Sequence, residues 1–326
     1  MKKIERVCIV GAGTIGSLFA GHLGAIADTT VLTRREAHAR SLNEKGLRVS
    51  GKTNLHASIH ASIHAADLGS ADLVIIATKA LDVEASIKKV QGYFPGALLL
   101  MVQNGLGCEE IVKKYGDWPI ISSVTFMSGT RHSDTHVEYE LDTATWMGPW
   151  AGSHATFEDA KEVAALINRS GLKAEAYADV LPHQWSKLIF NSAVNSIAAI
   201  TDLPHIKAFA KQEMLEDLGH LVHAMMDEGK AIAAARGVTL ADDPWEMNVR
   251  AVGQGITGGD DYAHIPSMLT DVRNRRPTEV DWITGSIVRE ATKAGMPAPY
   301  HETLYRLVKA RESSWLIKIN NGSQGH

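Results

Sequence analysis

Three glycines near the start of the chain are spaced as in a phosphate-binding turn. The candidate cofactor ligands in this G-x-G-x-x-G pattern are Gly11, Ala12, Gly13, Thr14, Ile15 and Gly16. The pattern follows an apolar run and opens a helical stretch, and this context makes it informative. Gly11 permits a tight turn, Gly13 lets the backbone approach a pyrophosphate, and Gly16 lets helix and strand pack closely. The sequence therefore predicts a dinucleotide at a helix N-terminus, with a ligand-free glycine turn as the alternative.

The residues after the second predicted strand bear on which dinucleotide binds. Sites for NAD usually carry Asp or Glu there, which accepts a hydrogen bond from the ribose 2′-hydroxyl. This chain has Thr33, Arg34 and Arg35 instead, and a guanidinium binds a 2′-phosphate through two charge-assisted hydrogen bonds. Glu36 is the rival ligand, but its position suits the start of a helix. We therefore expect Arg34 to contact the 2′-phosphate of NADP(H).

A lysine and two asparagines share one face of a predicted helix in the second half of the chain. Lys187, Asn191 and Asn195 are four residues apart, so they form a stripe that drifts by about 40° per step. Apolar residues occupy much of the rest of this helix, and a polar stripe is costly to bury without partners. The stripe is therefore either a functional surface or an ordinary solvent-facing one.

The elements that must position these residues alternate through the first half of the chain. The predicted strands are 6–10, 29–33, 73–77, 97–102 and 173–177, and the predicted helices are 36–45, 82–90, 108–114 and 157–170. This alternation indicates an α/β fold of the Rossmann type, with a doubly wound parallel sheet between helices. Between about 120 and 150 the residue pattern predicts additional, antiparallel strands.

Beyond Asp179 the composition becomes strongly helical. The helices predicted there are 185–200, 207–236, 266–275 and 278–293. We therefore predict an NADP-binding Rossmann domain over 1–178 and an all-helical catalytic and substrate domain over 179–326. A chain of 326 residues has the length expected of two domains.

Composition narrows the class of protein. Lys plus Arg is 33 and Asp plus Glu is 37, so the net charge is −4, which argues against a nucleic-acid partner. No run approaches the ~18 apolar residues that span a bilayer, and the N-terminus lacks a signal-peptide pattern. Two cysteines without metal spacing fit a reducing compartment. We expect a cytoplasmic protein without a membrane partner; its oligomeric state stays open between monomer and homodimer.

Three histidines, His56, His60 and His64, lie four residues apart in a short internal repeat. On a helix this spacing would suit zinc, and on a strand it would place all three on one face. No carboxylate or cysteine completes a ligand set nearby, and a catalytic zinc needs three protein ligands in defined geometry. We therefore expect no metal and interpret the repeat as a solvated strand or loop face.

Taken together, the motifs resemble those of the ketopantoate reductases (2-dehydropantoate 2-reductases) over nearly the whole chain. The matching segments are 11–16, Thr78-Lys79-Ala80, Gln103-Asn104-Gly105, Trp185 with Lys187, Asn191 and Asn195, Pro266-Ser267-Met268 with Asp271, and Thr278-Glu279-Val280-Asp281. The resemblance implies a Rossmann domain, a helical C-terminal domain and an active site in the cleft between them.

The resemblance also implies individual roles. Lys187 would be the general acid that protonates the ketone oxygen as hydride reaches carbon 2, with Glu279 as its charged partner. The residues that would bind substrate are Asn191, Asn195 and Ser267, the last near the substrate carboxylate, and those that would line the nicotinamide are Lys79 and Asn104. Hydride addition places negative charge on the carbonyl oxygen, which an ammonium stabilises. The alternatives are an exposed strand end for Lys79 and helix charge compensation for Glu279.

The reaction implied is NADPH-dependent reduction of 2-dehydropantoate to (R)-pantoate, a step of pantothenate and coenzyme A biosynthesis. The departures from the family pattern on the expected substrate side are Ser196, Ala198, His205 and Tyr300, the last within a Pro-x-Asn motif that here ends in His301. His205 and Tyr300 motivate the alternative of a related NAD(P)-dependent D-2-hydroxyacid dehydrogenase acting on another, bulky 2-keto acid. The pairing of Lys187 with Glu279 disfavours a non-catalytic NADP sensor. The presence of Ser267 with Glu279 disfavours a β-hydroxyacid dehydrogenase.

Overall fold

Strands and helices alternate through the first half of the chain and give way mainly to helices in the second half. The computed structural model describes residues 3–211, 217–253 and 263–316. Contacts within the chain divide it into two units, Met1–Gln184 and Trp185–His326. Among the described residues, no helix is both long enough and apolar enough to cross a membrane.

The first unit is built on two sheets. Its strands are β1 (Arg6–Val10), β2 (Asp28–Leu32), β3 (Leu47–Gly51), β4 (Leu55–Ala57), β5 (His60–Ser62), β6 (Leu73–Ile76), β7 (Leu98–Met101), β8 (Ile120–Thr125), β9 (Ser128–Ser133), β10 (His136–Leu141), β11 (Thr145–Pro149) and β12 (Ala174–Ala176). Its helices are α1 (Thr14–Leu23), α2 (Glu36–Lys45), α3 (Val83–Val90), α4 (Cys108–Lys113) and α5 (Phe157–Arg169).

The larger sheet confirms the Rossmann-type prediction. Its strand order is β12-β11-β8-β7-β6-β1-β2-β5, and the run from β5 to β8 is parallel throughout. That run has the order 3-2-1-4-5-6 of a dinucleotide-binding fold, in which ligands bind where the order reverses, here beside β1 and β6. Strand β6 is buried along its whole length, which explains its unbroken apolar sequence. As predicted from the 120–150 region, β11 runs antiparallel to β8.

The smaller sheet has the order β4-β3-β10-β9. The face of this sheet that carries Val49 packs closely on α1. The contact is so close that a Cβ at Gly21 of that helix would lie 2.4 Å from Val49 Cγ2. The sequence analysis did not predict β3, β4 or β5, which are short and rich in polar residues.

The histidine repeat is divided between the two sheets of the first unit. His56 lies in β4 and His60 in β5, so the repeat does not form one strand face. His56, His60 and His64 are all exposed. Within the described part of the chain, no group of three or more His, Cys, Asp or Glu residues is arranged to hold a metal ion.

The second unit is mainly helical. Its helices are α6 (Leu181–Thr201, which begins at the end of the first unit), α7 (Asp217–Ala235), α8 (Pro244–Gly253), α9 (Ser267–Arg273), α10 (Thr284–Ala294) and α11 (Pro299–Ser314). A short pair of strands, β13 (His205–Ile206) and β14 (Ala263–His264), is an exception to the predicted all-helical domain. The predicted helix 207–236 is instead a 3₁₀ turn over Lys207–Ala210 followed by α7, and residues 212–216 lie outside the described residues.

The two units divide six residues after the predicted boundary. The first turn of α6 accounts for the difference, because the His183 ring packs 5.2 Å from the Trp146 ring and 4.1 Å from the Tyr177 ring, measured between centroids. Both partners belong to the first unit, so this turn is counted with it although the helix continues beyond.

Candidate functional site

Two of the three glycines in the turn, Gly11 and Gly16, leave no room for a side chain. Gly11 follows β1 with a φ of +101°, a conformation that favours glycine. A Cβ at Gly11 would lie 2.7 Å from Thr78 Cγ2, and a Cβ at Gly16 would lie 1.9 Å from the Gly11 carbonyl oxygen. A Cβ at Gly13, in contrast, would meet no atom within 4 Å. The backbone at Gly13 therefore borders open space that a phosphate can approach.

The start of α1 offers donors at the same place. The N–H of Ser17 donates to the Gly13 carbonyl oxygen at 2.9 Å. In an α-helix the N–H groups before this first bond have no intrahelical acceptor. Those groups belong to Thr14, Ile15 and Gly16, with Ala12 in the turn before them. Free N–H groups and the positive end of the helix dipole together suit an anionic ligand.

Two half-buried polar side chains, Thr78 and Gln103, follow the neighbouring strands β6 and β7. Gln103 Nε2 donates to the carbonyl oxygens of Ile76 at 2.7 Å and Thr78 at 2.9 Å. The other Gln103 amide atom, Oε1, and Thr78 Oγ1 are buried and have no hydrogen-bond partner among the described residues. An unsatisfied buried polar atom costs ~1–3 kcal/mol, so these atoms are ones that a bound ligand would satisfy. The sequence analysis gave neither residue a role; its only signal was their position beside Lys79 and Asn104.

The structure separates the two arginines that follow β2. Arg35 Nη2 bonds to Asp134 Oδ1 at 2.5 Å and is thereby committed to the hairpin between β9 and β10. The Arg34 side chain is exposed, with Asp82 Oδ2 at 3.6 Å. Glu36 is the first residue of α2 and receives Arg40 at 3.4 Å. Arg34 is therefore the better placed of the two arginines to reach a ligand.

The two remaining predicted residues of the first unit follow the central strands. Lys79 is exposed and precedes a 3₁₀ turn over Ala80–Asp82, directly after β6. Asn104 is half-buried in the segment after β7. Both lie beyond the carboxyl ends of parallel strands, the edge at which such sheets bind ligands. The donors of the turn and helix, the open space at Gly13 and the two unsatisfied oxygens all fit a dinucleotide.

In the second unit, the polar stripe of α6 is not an ordinary solvent-facing surface. Lys187 is 8% exposed and Asn195 is 6% exposed, while Asn191 is half-buried. Apolar neighbours on this helix, including Leu188 and Ile189, are buried as well. A lysine is rarely buried unless it is paired, so the position of its partner matters.

That partner is Glu279. Burial lowers the pKa of Lys187 to about 8, and the Glu279 carboxylate opposes this fall. Glu279 itself is 8% exposed. The structure therefore brings together the two residues that the sequence analysis named as acid and charged partner. With a pKa of about 8, Lys187 is largely protonated at neutral pH and can still give up its proton readily.

A turn, not the predicted helix, holds Glu279. The helix predicted over 278–293 begins only at Thr284, because residues 279–283 form turns in which the N–H groups of Trp282 and Ile283 both donate to the Glu279 carbonyl oxygen at 3.0 Å. Thr278 anchors this turn: its N–H and its hydroxyl donate to Glu312 Oε1 at 2.7 and 2.6 Å. Charge compensation of a helix N-terminus therefore does not explain Glu279.

Ser267 is exposed at the first position of α9, after Pro266. Position N1 of a helix leaves its backbone N–H without an intrahelical acceptor. The hydroxyl and N–H of Ser267 are thus two donors at one exposed point, an arrangement that suits a carboxylate.

Ser196 and Ala198, two of the expected substrate-side departures, are both buried, and Ser196 has a packing partner. Both residues are 0% exposed. Ser196 Oγ lies 2.6 Å from Thr284 Oγ1 and so ties α6 to α10. Ser196 lies about 180° around the helix from Lys187 and so falls off the stripe, whereas Ala198 lies within about 20° of Lys187 and stays on it.

His205 and Tyr300 have contrasting environments. His205 is 2% exposed, and its Nε2 donates to Asn248 Oδ1 at 2.8 Å. Burial lowers the pKa of His205 to about 4, so the ring is neutral. The rings of Phe190 and Phe209 approach it edge-on at 5.9 and 5.3 Å. Tyr300, in contrast, is 45% exposed on α11.

Comparison with known proteins agrees with this architecture. Two family models match the chain: "Ketopantoate reductase PanE/ApbA" over residues 7–152 and "Ketopantoate reductase PanE/ApbA C terminal" over residues 179–312. The 2-dehydropantoate 2-reductase of Archaeoglobus fulgidus is 30% identical over 95% of this chain and 99% of its own length. That of Pyrococcus horikoshii is 29% identical over 94% of this chain and 98% of its own length.

Solved structures share the fold. A PanE/ApbA family ketopantoate reductase from Ralstonia eutropha JMP134 superposes with a TM-score of 0.82 at 24% identity, over 96% of this chain and 100% of that one. D-mandelate dehydrogenase with NADH and anilino(oxo)acetate gives 0.83 at 23% identity, over 96% and 100%. Because the family models match both the glycine-turn region and the helical region that holds Lys187 and Glu279, this chain belongs to the ketopantoate reductase family of oxidoreductases.

Proposed function

We propose that this protein reduces 2-dehydropantoate to (R)-pantoate with NADPH, and that Lys187 is the general acid. The observation that carries this proposal is the buried Lys187 beside the buried carboxylate of Glu279. The names of its curated relatives, 2-dehydropantoate 2-reductases that align over almost their full length, support the substrate.

Lys187 stabilises the reacting carbonyl. As the carbonyl carbon is reduced, negative charge develops on its oxygen, and an ammonium close by both neutralises that charge and delivers the proton. The low exposure of Lys187 strengthens this interaction, since few water molecules screen it. Glu279 keeps the ammonium charged before the reaction, because its carboxylate raises the pKa that burial lowers.

The substrate is held by uncharged donors around this acid. Asn191 and Asn195 continue the stripe that Lys187 begins, so amide groups are available to the hydroxyl and carbonyl oxygens of a 2-keto acid. Ser267 supplies a hydroxyl and a backbone N–H for the carboxylate. Fixing a small acid at both ends orients its carbonyl relative to Lys187, and such orientation contributes substantially to rate.

The first unit is proposed to hold NADP(H), which supplies the hydride when it is bound. The glycine turn, Gly11 to Gly16, would receive the pyrophosphate and Arg34 the 2′-phosphate. Lys79 and Asn104, with the unsatisfied oxygens of Thr78 and Gln103 beside them, would line the nicotinamide end. The proposed division of labour follows the domains 1–178 and 179–326.

The cellular setting belongs to the same proposal. Cys8 and Cys108 are free thiols and both are buried, as is usual for a protein of a reducing compartment. We place the enzyme in the cytoplasm, in pantothenate and coenzyme A biosynthesis, with a small 2-keto acid as its partner and a homodimer as the alternative to a monomer.

A second candidate function is a D-2-hydroxyacid dehydrogenase for a bulkier 2-keto acid. The observation that favours it is His205, neutral and packed between Phe190 and Phe209, where an asparagine is expected from the resemblance. Aromatic rings close to a binding site favour an aromatic substrate over a small branched one. D-mandelate dehydrogenase shares the fold, and the fold alone does not decide the substrate.

Steady-state kinetics on a panel of 2-keto acids tests both candidates. The panel includes 2-dehydropantoate and phenylglyoxylate, each with NADPH and with NADH. We expect the highest kcat/KM for 2-dehydropantoate with NADPH. Turnover of phenylglyoxylate as fast as that of 2-dehydropantoate would reject the first candidate, and equal use of NADH would reject the assignment of Arg34.

A further inference from the structure

The outer face of the four-stranded sheet carries a row of basic side chains. Arg48 on β3 is in register with His56 on β4 and with His136 on β10. Side chains in register on adjacent strands lie on one face, with Cβ atoms about 5 Å apart. The next residues along these strands, Val49 and Val137, are buried, so the basic row points away from the core.

This row forms one wall of a pocket of about 590 Å³. The polar residues that line it are Lys45, Arg48, Asn54, His56, Thr135 and His136. None of them is a carboxylate, and its volume lies within the range of small-molecule sites, ~300–1,000 Å³. The nearest acidic residue on the same face of β10 is Glu138, whose Oε2 is engaged by His132 Nε2 at 2.8 Å.

The pocket brings one lysine and one arginine together. Within the described residues, neither Lys45 nor Arg48 has an ion pair or a side-chain hydrogen bond. The nearby Arg35 and Arg131 differ, since both bond to Asp134, at 2.5 and 3.1 Å. The positive charges of Lys45 and Arg48 repel each other across the pocket, and a bound anion would remove that cost.

The imidazoles of the row are held in place by neighbouring groups. His56 Nε2 donates to the Lys45 carbonyl oxygen at 2.7 Å. His136 Nε2 lies 2.8 Å from Ser50 Oγ. Thr135 is fixed through its backbone, because its carbonyl oxygen accepts the Arg48 N–H at 2.9 Å. The walls of the pocket are therefore ordered without a ligand.

The pocket is separate from the glycine turn and from Arg34. Lys45 is the last residue of α2, whereas Arg34 precedes the first. A ten-residue helix is about 15 Å long, so the two cationic positions lie at opposite ends of α2.

We propose that this pocket binds the phosphate group of a small phosphorylated metabolite. A phosphate has only acceptor atoms, and the pocket offers the Arg48 fork for two parallel hydrogen bonds, the Lys45 ammonium, and neutral donors from Thr135 and Asn54. The remaining volume accommodates the body of the metabolite beside Leu55, which supplies an apolar lining.

Calorimetric titration of the full chain with inorganic pyrophosphate tests the site. Pyrophosphate can also enter the glycine turn, so the titration is run with and without saturating NADPH. Four variants are compared: Arg48→Gln, Asn54→Ala, Arg34→Gln and Lys89→Gln. Lys89 is an exposed residue of α3 and controls for the loss of one positive charge. Circular dichroism checks that each variant is folded.

We expect pyrophosphate binding that NADPH does not displace. Arg48→Gln should weaken it about tenfold, Asn54→Ala should weaken it less, and Arg34→Gln and Lys89→Gln should leave it unchanged. Three results would overturn the site: no binding once NADPH is present, loss of binding in Arg34→Gln but not in Arg48→Gln, or equal weakening by Lys89→Gln, which would mean non-specific charge attraction.

Discussion

Replacing Glu279 with Gln should move the pH dependence of the reaction toward acid. The protonated Lys187 is the proposed acid, and its pKa is lowered to about 8. The rate of reduction should therefore be constant below about pH 8 and fall ~tenfold for each further pH unit well above it. Because the Glu279 carboxylate is what raises this pKa against the effect of burial, glutamine at that position lets the pKa fall.

The size of the effect follows from the free energy of the pair. Loss of ~1.4 kcal/mol of attraction lowers a pKa by about one. At about pH 7.5, the protonated fraction of Lys187 would then drop from about three quarters to about one quarter. Glutamine has nearly the shape of glutamate, so the turn at 279–283, which is held by backbone bonds and by Thr278, should stay folded.

The assay is the initial rate of 2-dehydropantoate reduction over a range of pH, reported as kcat and kcat/KM. Asp281→Asn is the matched control, because this neighbouring carboxylate serves Tyr305 and Lys309, at 2.7 and 3.0 Å. The wild-type and Asp281→Asn profiles should coincide, and the Glu279→Gln profile should break at lower pH. A Glu279→Gln profile with the wild-type break would refute the idea that Glu279 sets the protonation of Lys187.

Three further predictions address the acid, the cofactor and the stability of the second unit. Lys187→Ala should lower kcat at least ~100-fold while NADPH binding, followed by nucleotide fluorescence, persists; wild-type turnover would remove Lys187 from the mechanism. Arg34→Gln should raise the KM for NADPH about tenfold and leave that for NADH unchanged; an equal change for both would contradict the 2′-phosphate contact. His301→Ala should lower the free energy of unfolding by ~3 kcal/mol, measured by urea denaturation, because Ser192 Oγ and the Glu228 carboxylate lose their partner at 2.9 and 2.8 Å; a change within ~0.5 kcal/mol would mean that solvent replaces the ring.

The central sheet could be predicted because each of its inner strands carries its own signal. Strands β1, β6 and β7 are short apolar runs closed by polar or glycine residues, and burial on both faces requires that composition. Helix α2 was predicted at its observed bounds, since it begins at Glu36 and ends before Gly46, whose φ of +65° favours glycine. In these elements local sequence and tertiary environment favour the same structure.

The elements that escaped prediction depend on contacts between distant residues. Strands β3 and β4 contain Arg48 and His56 at outward positions. The pairing of β3 with β4 on one side and with β10 on the other is what makes these segments strands. The composition of the turn before α10 predicts a helix. In the structure, Thr278 binds Glu312, 34 residues further along the chain, and α10 begins only after the turn. Such long-range bonds leave no periodic trace in the sequence.

The candidate site, too, could be predicted from the sequence only in part. The spacing of Lys187, Asn191 and Asn195 is visible in the sequence, but whether that stripe is buried depends on tertiary packing. Thr78 and Gln103 became notable only because one oxygen of each has no hydrogen-bond partner in the part of the chain that the structure describes. A residue type says which hydrogen bonds a side chain can make, and only the fold says which of them are missing.

Two of the residues that depart from the family pattern, Ser196 and His301, form hydrogen bonds between helices of the second unit. Ser196 bonds to Thr284 on α10, and His301 on α11 bonds to Ser192 on α6 and Glu228 on α7. Burial alone would raise the pKa of the Glu228 carboxyl, but its hydrogen bonds from His301 and the Tyr300 N–H lower it below its ordinary value. The contribution of this carboxylate to stability is therefore present at neutral pH and is lost as acid protonates it.

Helix α6 thus has two kinds of polar residue on different faces. One face carries the proposed acid and amides, and the other carries Ser192 and Ser196, which fasten the helix to its neighbours. A general acid must be held within a fraction of an ångström of its productive position by rigid surroundings. Substitutions on the fastening face can therefore change how firmly Lys187 is held without changing what it does, so these departures do not by themselves argue for a different substrate. Among the four departures of the expected substrate side, the proposal of a bulkier 2-keto acid therefore rests on His205 and its aromatic surroundings.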